Sequence, residues 1–140
     1  SSVKIFIAEY NPVYGSDMEV TVPNLENFNR KDYHYSNLCY GMSLIALKNI
    51  MIKKNFYLIG TNSTRNNAFF ISEEFKQSEY FPNIKIKDLD YYTDFNYRES
   101  RDKNNKLTYI TSKSCIKEIK ECNVVDLKDN NKIKKISELL

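Results

Sequence analysis

Two polar residues follow the first apolar segment of the chain and are the first candidates for chemistry. Residues 5–8 are apolar, Glu9 and Asn11 come directly after them, and Pro12 ends the segment. If the segment is a strand, both side chains lie at its carboxyl end, where open α/β sheets place their ligands. A glutamate there could be a general base or could orient a hydroxyl group. The alternative is structural, with the Glu9 carboxylate accepting backbone N–H groups of the loop that follows.

The single histidine of the chain, His34, is the second candidate for acid–base catalysis. An imidazole changes charge near neutral pH and can therefore donate or accept a proton. His34 lies between Tyr33 and Tyr35, just before a predicted helix. The competing interpretation is a packed or half-exposed loop residue.

A polar turn separates two apolar segments in the middle of the chain. It contains Asn62, Ser63, Asn66 and Asn67, whose side chains could hydrogen-bond a sugar-like ligand. The competing interpretation is turn formation, because Asn tolerates left-handed backbone angles. Further along, residues 98–102 (RESRD) alternate in sign, which predicts a surface set of ion pairs of small energetic value.

The three cysteines, Cys39, Cys115 and Cys122, form an odd and widely spaced set. No two of them have the CxxC spacing of a metal site, and their number indicates no disulfide framework. We predict reduced thiols that are buried as small apolar side chains, and no metal site.

Length and charge limit the classes of function. A chain of 140 residues fits one domain, and a net charge of +3 does not indicate a nucleic acid or an anionic membrane as partner. No apolar run approaches the roughly 18 residues of a membrane span, and the first residues do not read as a signal peptide. We therefore expect a cytoplasmic protein with no nucleic-acid and no membrane partner.

The order of apolar segments predicts an α/β fold. Residues 3–10 are rich in β-branched and aromatic side chains and are apolar on both faces from Ile5 to Ala8, which favours a strand buried in a parallel sheet. An amphipathic helix over 41–55 and a strand over 56–60 complete a β-α-β unit with a right-handed crossover. The strand over 68–71 is then expected to return antiparallel to the second strand, as in a β-hairpin.

The remainder of the chain has a weaker pattern. Residues 12–37 are predicted to be a long excursion over the sheet, and 74–102 to be irregular. A short extended stretch over 107–110, a helix over 111–121 and a small strand over 123–127 are expected next, before a weakly amphipathic last segment. We divide the chain into a sheet portion, 1–74, and an irregular α+β extension, 75–140, within one structural unit.

The predicted first strand raises a problem of hydrogen bonding. A strand buried on both faces needs a neighbour on each edge, because unpaired buried backbone groups are costly. The β-α-β unit and hairpin supply only one. We therefore expect either that the chain is a fragment of a longer protein or that another chain completes the sheet, which includes a homo-oligomer through this edge. A weaker alternative is that residues 107–127 fill the gap.

Four blocks of sequence, in order, resemble one known family. Residues 4–12 (KIFIAEYNP) with Tyr14 and Gly15, and then residues 40–47 (YGMSLIAL), are the first two. Residues 55–63 (NFYLIGTNS) and 67–71 (NAFFI) are the others, and residues 98–102 and 124–126 are similar to its tail. Together they resemble the carboxyl-terminal part of FkbM-like S-adenosylmethionine-dependent methyltransferases, which occur among bacterial genes for surface polysaccharides.

The resemblance implies a partial Rossmann-like methyltransferase sheet. The blocks correspond to its fifth strand, the following helix and the closing strand pair, while the cofactor-binding half of the parent precedes residue 1. The parent is expected to transfer a methyl group from S-adenosylmethionine to a sugar-related acceptor, and no cofactor is expected for this chain alone. Catalytic roles are assigned to Glu9 and His34. The acceptor-binding residues are Asn11, Tyr14, Asn62, Ser63 and Asn67. The alternative function is a non-catalytic module that associates through an open sheet edge.

Overall fold

The computed structural model describes residues 3–77 and 97–140, which form a mixed α/β fold with two small antiparallel sheets. Predictions for residues 78–96, which include most of the expected irregular stretch over 74–102, lie outside the described residues. Among the described residues, no helix is both long enough and apolar enough to cross a membrane.

The first sheet has the strand order β1-β4-β3, with β1 at Ile5–Glu9, β3 at Phe56–Thr61 and β4 at Asn67–Ser72. Both outer strands pair antiparallel with β4, so β1 and β3 run in the same direction without touching. The predicted strand-helix-strand order is confirmed. The predicted parallel pairing of the first two strands is wrong, because β4 occupies the place between them.

Within the described residues β1 is an edge strand of its sheet. The prediction that its side chains are buried is wrong. Ile5, Phe6 and Ile7 are exposed by 50%, 40% and 57%. Within the described residues β4 is the strand that pairs with β1. The expectation of a missing second neighbour was based on a strand buried on both faces, and the exposure of these side chains removes that basis. The alternative that residues 107–127 fill the other edge is wrong, because the strand in that region belongs to the second sheet.

The second sheet has the order β2-β5-β6, with β2 at Val20–Thr21, β5 at Asn123–Asp126 and β6 at Lys132–Lys135. The predicted small strand over 123–127 is therefore confirmed as β5. β6 arises from the expected weakly amphipathic last segment, which ends in a 3-10 turn at Ile136–Glu138. The predicted stretch over 107–110 forms only an isolated bridge, between Leu107 and Arg101.

The main helix, α2, spans Leu44–Ile52 and lies against the first sheet. Ser43 caps it, because its hydroxyl accepts a hydrogen bond from the backbone N–H of Ala46. Asn55, in the left-handed conformation (φ +59°), then redirects the chain into β3. The shorter helices are α1 at Arg30–Tyr33, α3 at Glu73–Lys76 and α4 at Ser112–Glu118.

Two apolar clusters stabilise the fold. One lies between α2 and the first sheet and includes Leu44, Leu47, Leu58 and Phe70. The other joins the second sheet to α4 and to the excursion between β1 and α2. It includes Val20, Leu38, Ile119, Val124 and Ile136. Because residues from both halves of the chain build the second cluster, the excursion is held in place over the carboxyl end of β1.

Candidate functional site

A cavity of about 1040 Å³ opens at the carboxyl end of β1. Five segments form its wall: the end of β1, the start of α1, the residues just before α2, the turn between β3 and β4, and residues 97–99. The described residues that line it include Glu9, Pro12, Phe28, Arg30, Tyr40, Gly41, Ser63, Thr64, Arg65, Asn66, Tyr97, Arg98 and Glu99.

Asn11 fixes the chain beside this cavity without lining it. Its side chain is fully buried, and Nδ2 donates to the carbonyl oxygens of Leu38 at 2.8 Å and Tyr40 at 2.9 Å. Oδ1 accepts from the backbone N–H of Val13 at 3.0 Å. All three bonds are internal, so the side chain positions Tyr40 in the cavity wall.

Two tyrosines and an ion pair form one side of the cavity. The hydroxyl groups of Tyr40 and Tyr97 are hydrogen-bonded to each other, with ring centroids 6.4 Å apart. The Arg30 guanidinium lies 5.4 Å from the centroid of the Tyr40 ring and forms an ion pair with Glu99. Such a wall offers aromatic faces next to charged and hydroxyl groups.

Both phenols are neutral at physiological pH. Burial raises the pKa of Tyr40, the hydrogen bond from Tyr97 lowers it, and the Glu9 carboxylate raises it. Burial and the neighbouring Tyr40 raise the pKa of Tyr97 further. Burial lowers the pKa of Arg30, but the hydrogen bond and charge of Glu99 outweigh that effect and leave it raised. The side therefore carries protonated hydroxyl groups and a permanent cation.

The turn between β3 and β4 is held by its own asparagines. Asn62 Nδ2 donates to Thr64 Oγ1 at 2.7 Å and to Asn66 Oδ1 at 2.8 Å. Asn62 Oδ1 accepts from the backbone N–H groups of Asn66 and Asn67 at 3.1 and 3.0 Å. The competing interpretation of turn formation describes Asn62 well. Ser63 is exposed and lines the cavity.

The structure brings only some of the predicted site residues together. Glu9 and Ser63 line the cavity, and Asn67 lies beside them as the strand partner of Glu9. Tyr14 is fully buried, with its hydroxyl 3.7 Å from Cys39 Sγ, and does not line the cavity. The side chains of Asn11 and Tyr14, for which acceptor-binding roles were predicted, therefore offer no exposed surface to a ligand in this arrangement.

His34 does not line the cavity and is half-buried. Its Nδ1 is 2.6 Å from Ser36 Oγ, and its ring packs on Tyr35 with centroids 4.3 Å apart. Burial lowers the pKa of His34, with Lys103 adding to the effect and Glu118 opposing it. This placement matches the competing interpretation of a packed loop residue, and it separates His34 from Glu9.

The cavity residues that were not among the predicted site residues include Arg30, Tyr40, Arg65 and Tyr97. Glu99 was placed in a local surface set with its sequence neighbours, yet it pairs with Arg30, 69 residues earlier. Only Tyr40 had a signal in the sequence, since it opens the second block of the family resemblance. Arg65 belongs to the polar turn that supplied other candidates, whereas Arg30 and Tyr97 come from segments without regular patterns, and only the fold brings the four together.

The cysteines are buried, as predicted. Cys39, Cys115 and Cys122 are free thiols in the second cluster and are shielded from solvent. In the part of the chain that the structure describes, no three His, Cys, Asp or Glu side chains are grouped as a metal site.

No family model, curated protein or solved structure matches the chain.

Proposed function

We propose that this chain carries the acceptor-binding part of a methyltransferase-like protein and that a sugar-related small molecule binds in the cavity at the carboxyl end of β1. The observation that carries the proposal is the position of Glu9. It ends a strand, lines the cavity, and lies beside aromatic and hydroxyl-bearing side chains. Sugar-binding sites commonly combine such groups, since a ring face packs on an aromatic side chain while hydroxyl groups meet polar ones.

The order of elements supports the same proposal. The resemblance implies a strand, a helix and a closing strand pair, and β1, α2, β3 and β4 follow in that order. β4 returns antiparallel and lies between β1 and β3, which share one direction. In this proposal the cofactor-binding half belongs to a longer parent protein, where S-adenosylmethionine supplies the methyl group.

Glu9 is the group of this chain that would act in the reaction. A sugar hydroxyl must lose its proton as its oxygen becomes bonded to carbon, and a carboxylate within hydrogen-bond reach can accept that proton. The Tyr40–Tyr97 hydroxyl pair would hold the sugar in place, because the phenol that accepts the bond between them keeps its own O–H to donate to the ligand. Asn11 acts through Tyr40 and is a positioning residue.

The proposal is tested at two levels. Monosaccharides titrated into the 140-residue chain should shift NMR signals of residues around the cavity, and Glu9→Gln should weaken that binding. Glu26→Gln is the matched control, because Glu26 is exposed and does not line the cavity. At the second level, the parent protein is titrated with S-adenosylmethionine. A parent that does not bind it would refute the methyltransferase proposal.

A second candidate function is self-association through the edge of β1 that no strand of residues 3–77 and 97–140 covers, with a second copy of this chain as the occupant. The carbonyl of Lys4 accepts from Ser72 at 2.9 Å, and the N–H of Tyr10 donates to Asn66 at 2.8 Å. Because bonding alternates along an antiparallel strand, the backbone groups of Ile5 and Ile7 then point to the open edge. That edge resembles an unprotected template for pairing.

The strand is suited to pair with itself. In an antiparallel arrangement with a two-fold axis at Phe6, Ile5 lies opposite Ile7 of the second copy, so apolar residues match on both faces. Lys4 and Glu9 sit at opposite ends, and antiparallel pairing brings the basic end of each strand to the acidic end of the other. Parallel pairing would instead place Lys4 next to Lys4.

Sedimentation velocity tests this second candidate function, because it measures the oligomeric state of the chain in solution. We expect a dimer that Ile7→Lys abolishes, whereas Ile133→Lys, at a 63% exposed site on β6, leaves it intact. Phe6→Cys should give a disulfide-linked dimer on oxidation, since the two Phe6 positions face each other in this register. A monomer, or a ladder of higher oligomers, would exclude the two-fold pairing.

A further inference from the structure

A second opening, which we call the apolar groove, lies beside β2 and β5 and has a volume of about 480 Å³. None of the described residues that line it is charged, whereas the cavity at the end of β1 is lined by several charged side chains. The apolar side chains of the groove are Val22, Pro23, Leu25, Phe28, Val125 and Leu127. Its volume falls within the roughly 300–1,000 Å³ of small-molecule sites.

The apolar groove and the cavity adjoin, because Phe28 and Gly41 belong to both walls. Gly41 holds a φ angle of +57°, which a residue with a Cβ adopts poorly. Apart from its chain neighbours, no atom lies within 4 Å of the position that a Cβ at Gly41 would occupy. The junction between the two openings is therefore free of side chains at this point.

Both shared residues are held relative to the second sheet. The ring of Phe28 packs on Tyr33 with centroids 5.3 Å apart, and the Tyr33 hydroxyl donates to the carbonyl of Asn123, in β5, at 2.7 Å. The carbonyl of Gly41 accepts from the backbone N–H of Val22, which follows β2, at 2.9 Å. The fold therefore sets how the groove is placed relative to the cavity.

The two openings suit different parts of a ligand. Leu25 is 47% exposed in the groove, and Val22 and Phe28 are half-buried. An apolar group that covers them leaves water, and each methylene buried in this way raises affinity about fourfold. The cavity offers the Glu9 carboxylate and the hydroxyl group of Tyr40, which suit a polar group. A molecule that occupies both openings must be polar at one end and apolar at the other.

We propose that the acceptor is a glycoside with an apolar aglycone, whose sugar occupies the cavity and whose aglycone lies in the apolar groove. Phe28 contacts the ligand where its two parts join, and Leu25 covers the aglycone. Glu9 contacts a hydroxyl group of the sugar. This inference rests on the proposed function, because it specifies the class of acceptor for the same cavity.

Titration calorimetry with methyl glucoside and octyl glucoside tests the ligand class, with both kept below the concentration at which octyl glucoside forms micelles. We expect octyl glucoside to bind at least about tenfold more tightly, which requires only two or three buried methylenes. Equal affinity for the two would overturn the apolar aglycone and leave the sugar acceptor standing. No binding of either would remove both.

Leu25→Asp tests the apolar groove. We expect it to weaken octyl glucoside binding about fivefold or more, since a carboxylate replaces apolar surface, and to leave methyl glucoside binding unchanged. Leu107→Asp is the matched control, because Leu107 is 42% exposed and lines neither opening, and it should change neither affinity. Unchanged octyl glucoside affinity in Leu25→Asp, or an equal loss in the control, would refute the inference.

Glu9→Gln tests whether one molecule occupies both openings. We expect it to weaken methyl and octyl glucoside binding by the same factor, because both ligands place their sugar beside Glu9. An octyl glucoside affinity that Glu9→Gln does not change would show that the alkyl chain binds without the sugar in the cavity, which would overturn the spanning arrangement. Leu25 and Glu9 are both exposed, so neither substitution alters the packing of the two apolar clusters.

Discussion

The side-chain amide of Asn11 ties the end of β1 to the cavity wall, since Nδ2 donates to the Tyr40 carbonyl at 2.9 Å. The same amide group also bonds Leu38, and the amide oxygen bonds Val13. One buried side chain therefore holds three backbone positions, and the cavity depends on it although it does not line the cavity.

Asn11→Ala should be strongly destabilising. It leaves two carbonyls and one N–H without their partner in a buried site, which costs about 2–4 kcal/mol of unfolding free energy. Urea denaturation measures the loss. Asn24→Ala, at an exposed position, should stay within about 0.5 kcal/mol of the wild type. A loss at Asn11 no larger than at Asn24 would contradict the role assigned to it.

His34 should make stability depend on pH near neutrality. Its pKa is lowered by burial below the usual 6.5, so the unfolded chain takes up a proton first as the pH falls. The contribution of neutral His34 to the free energy of unfolding is complete above about pH 7. It decreases as the pH falls through 6.5 toward the pKa of His34 in the folded state. Comparing unfolding free energies at pH 8 and pH 6 should give a smaller difference for His34→Gln than for the wild type. Identical pH dependence in the two proteins would exclude this role.

Asp126 should contribute to stability at neutral pH and lose that contribution in acid. The Lys134 ammonium bonds its carboxylate at 2.9 Å and lowers its pKa, as does the backbone N–H of Lys128. A carboxyl group whose pKa is lowered by folding stabilises the fold at pH values above its ordinary pKa. The stabilisation disappears as the pH falls through the pKa of the folded state. Asp126→Asn should therefore be less stable than the wild type at pH 7, and the difference should narrow below about pH 4. A constant difference at both pH values would argue for a purely steric effect.

The three thiols should be inert in the folded protein. Cys39, Cys115 and Cys122 are buried, which shields all three thiols from a reagent in solution. Burial also raises the pKa of Cys115 to about 12, which disfavours its reactive thiolate. Hydrogen bonds to Cys122 and Tyr14 lower the pKa of Cys39, so its inertness depends on burial alone. A colorimetric disulfide reagent at pH 8 should react slowly with the native chain and should react with all three thiols in urea. Rapid reaction of any one in the native state would show that the second cluster opens readily.

The sequence predicted those elements whose signal is local. Helical spacing identified α2, and β-branched and aromatic runs identified β1, β3 and β4. The sequence predicted the wrong neighbour for β1, because apolar residues on both faces of a strand indicate burial in a parallel sheet. In the structure Ile5 and Ile7 are exposed at an edge. No local pattern determines that β4 inserts between two strands of common direction.

The residues of the candidate site also differ in whether a local sequence signal indicates them. Glu9 was predictable, because the end of an apolar run marks the end of a strand. Arg30 and Glu99 form an ion pair although 69 residues separate them in the chain. A short window of sequence carries no signal for such a contact, so the sequence indicates Glu9 at the end of β1 but not the other charged side chains that line the cavity.

The pairing of Val20 with Asp126 sets the timing of folding during synthesis. β2 is synthesised roughly a hundred residues before its partner strand β5. The excursion that forms part of the cavity wall stays without its sheet until β5 has been synthesised, since a non-local pairing cannot form before both strands are present. Ligand binding should therefore arise only after β5 has left the ribosome, and nascent chains released before β5 should not bind the ligand.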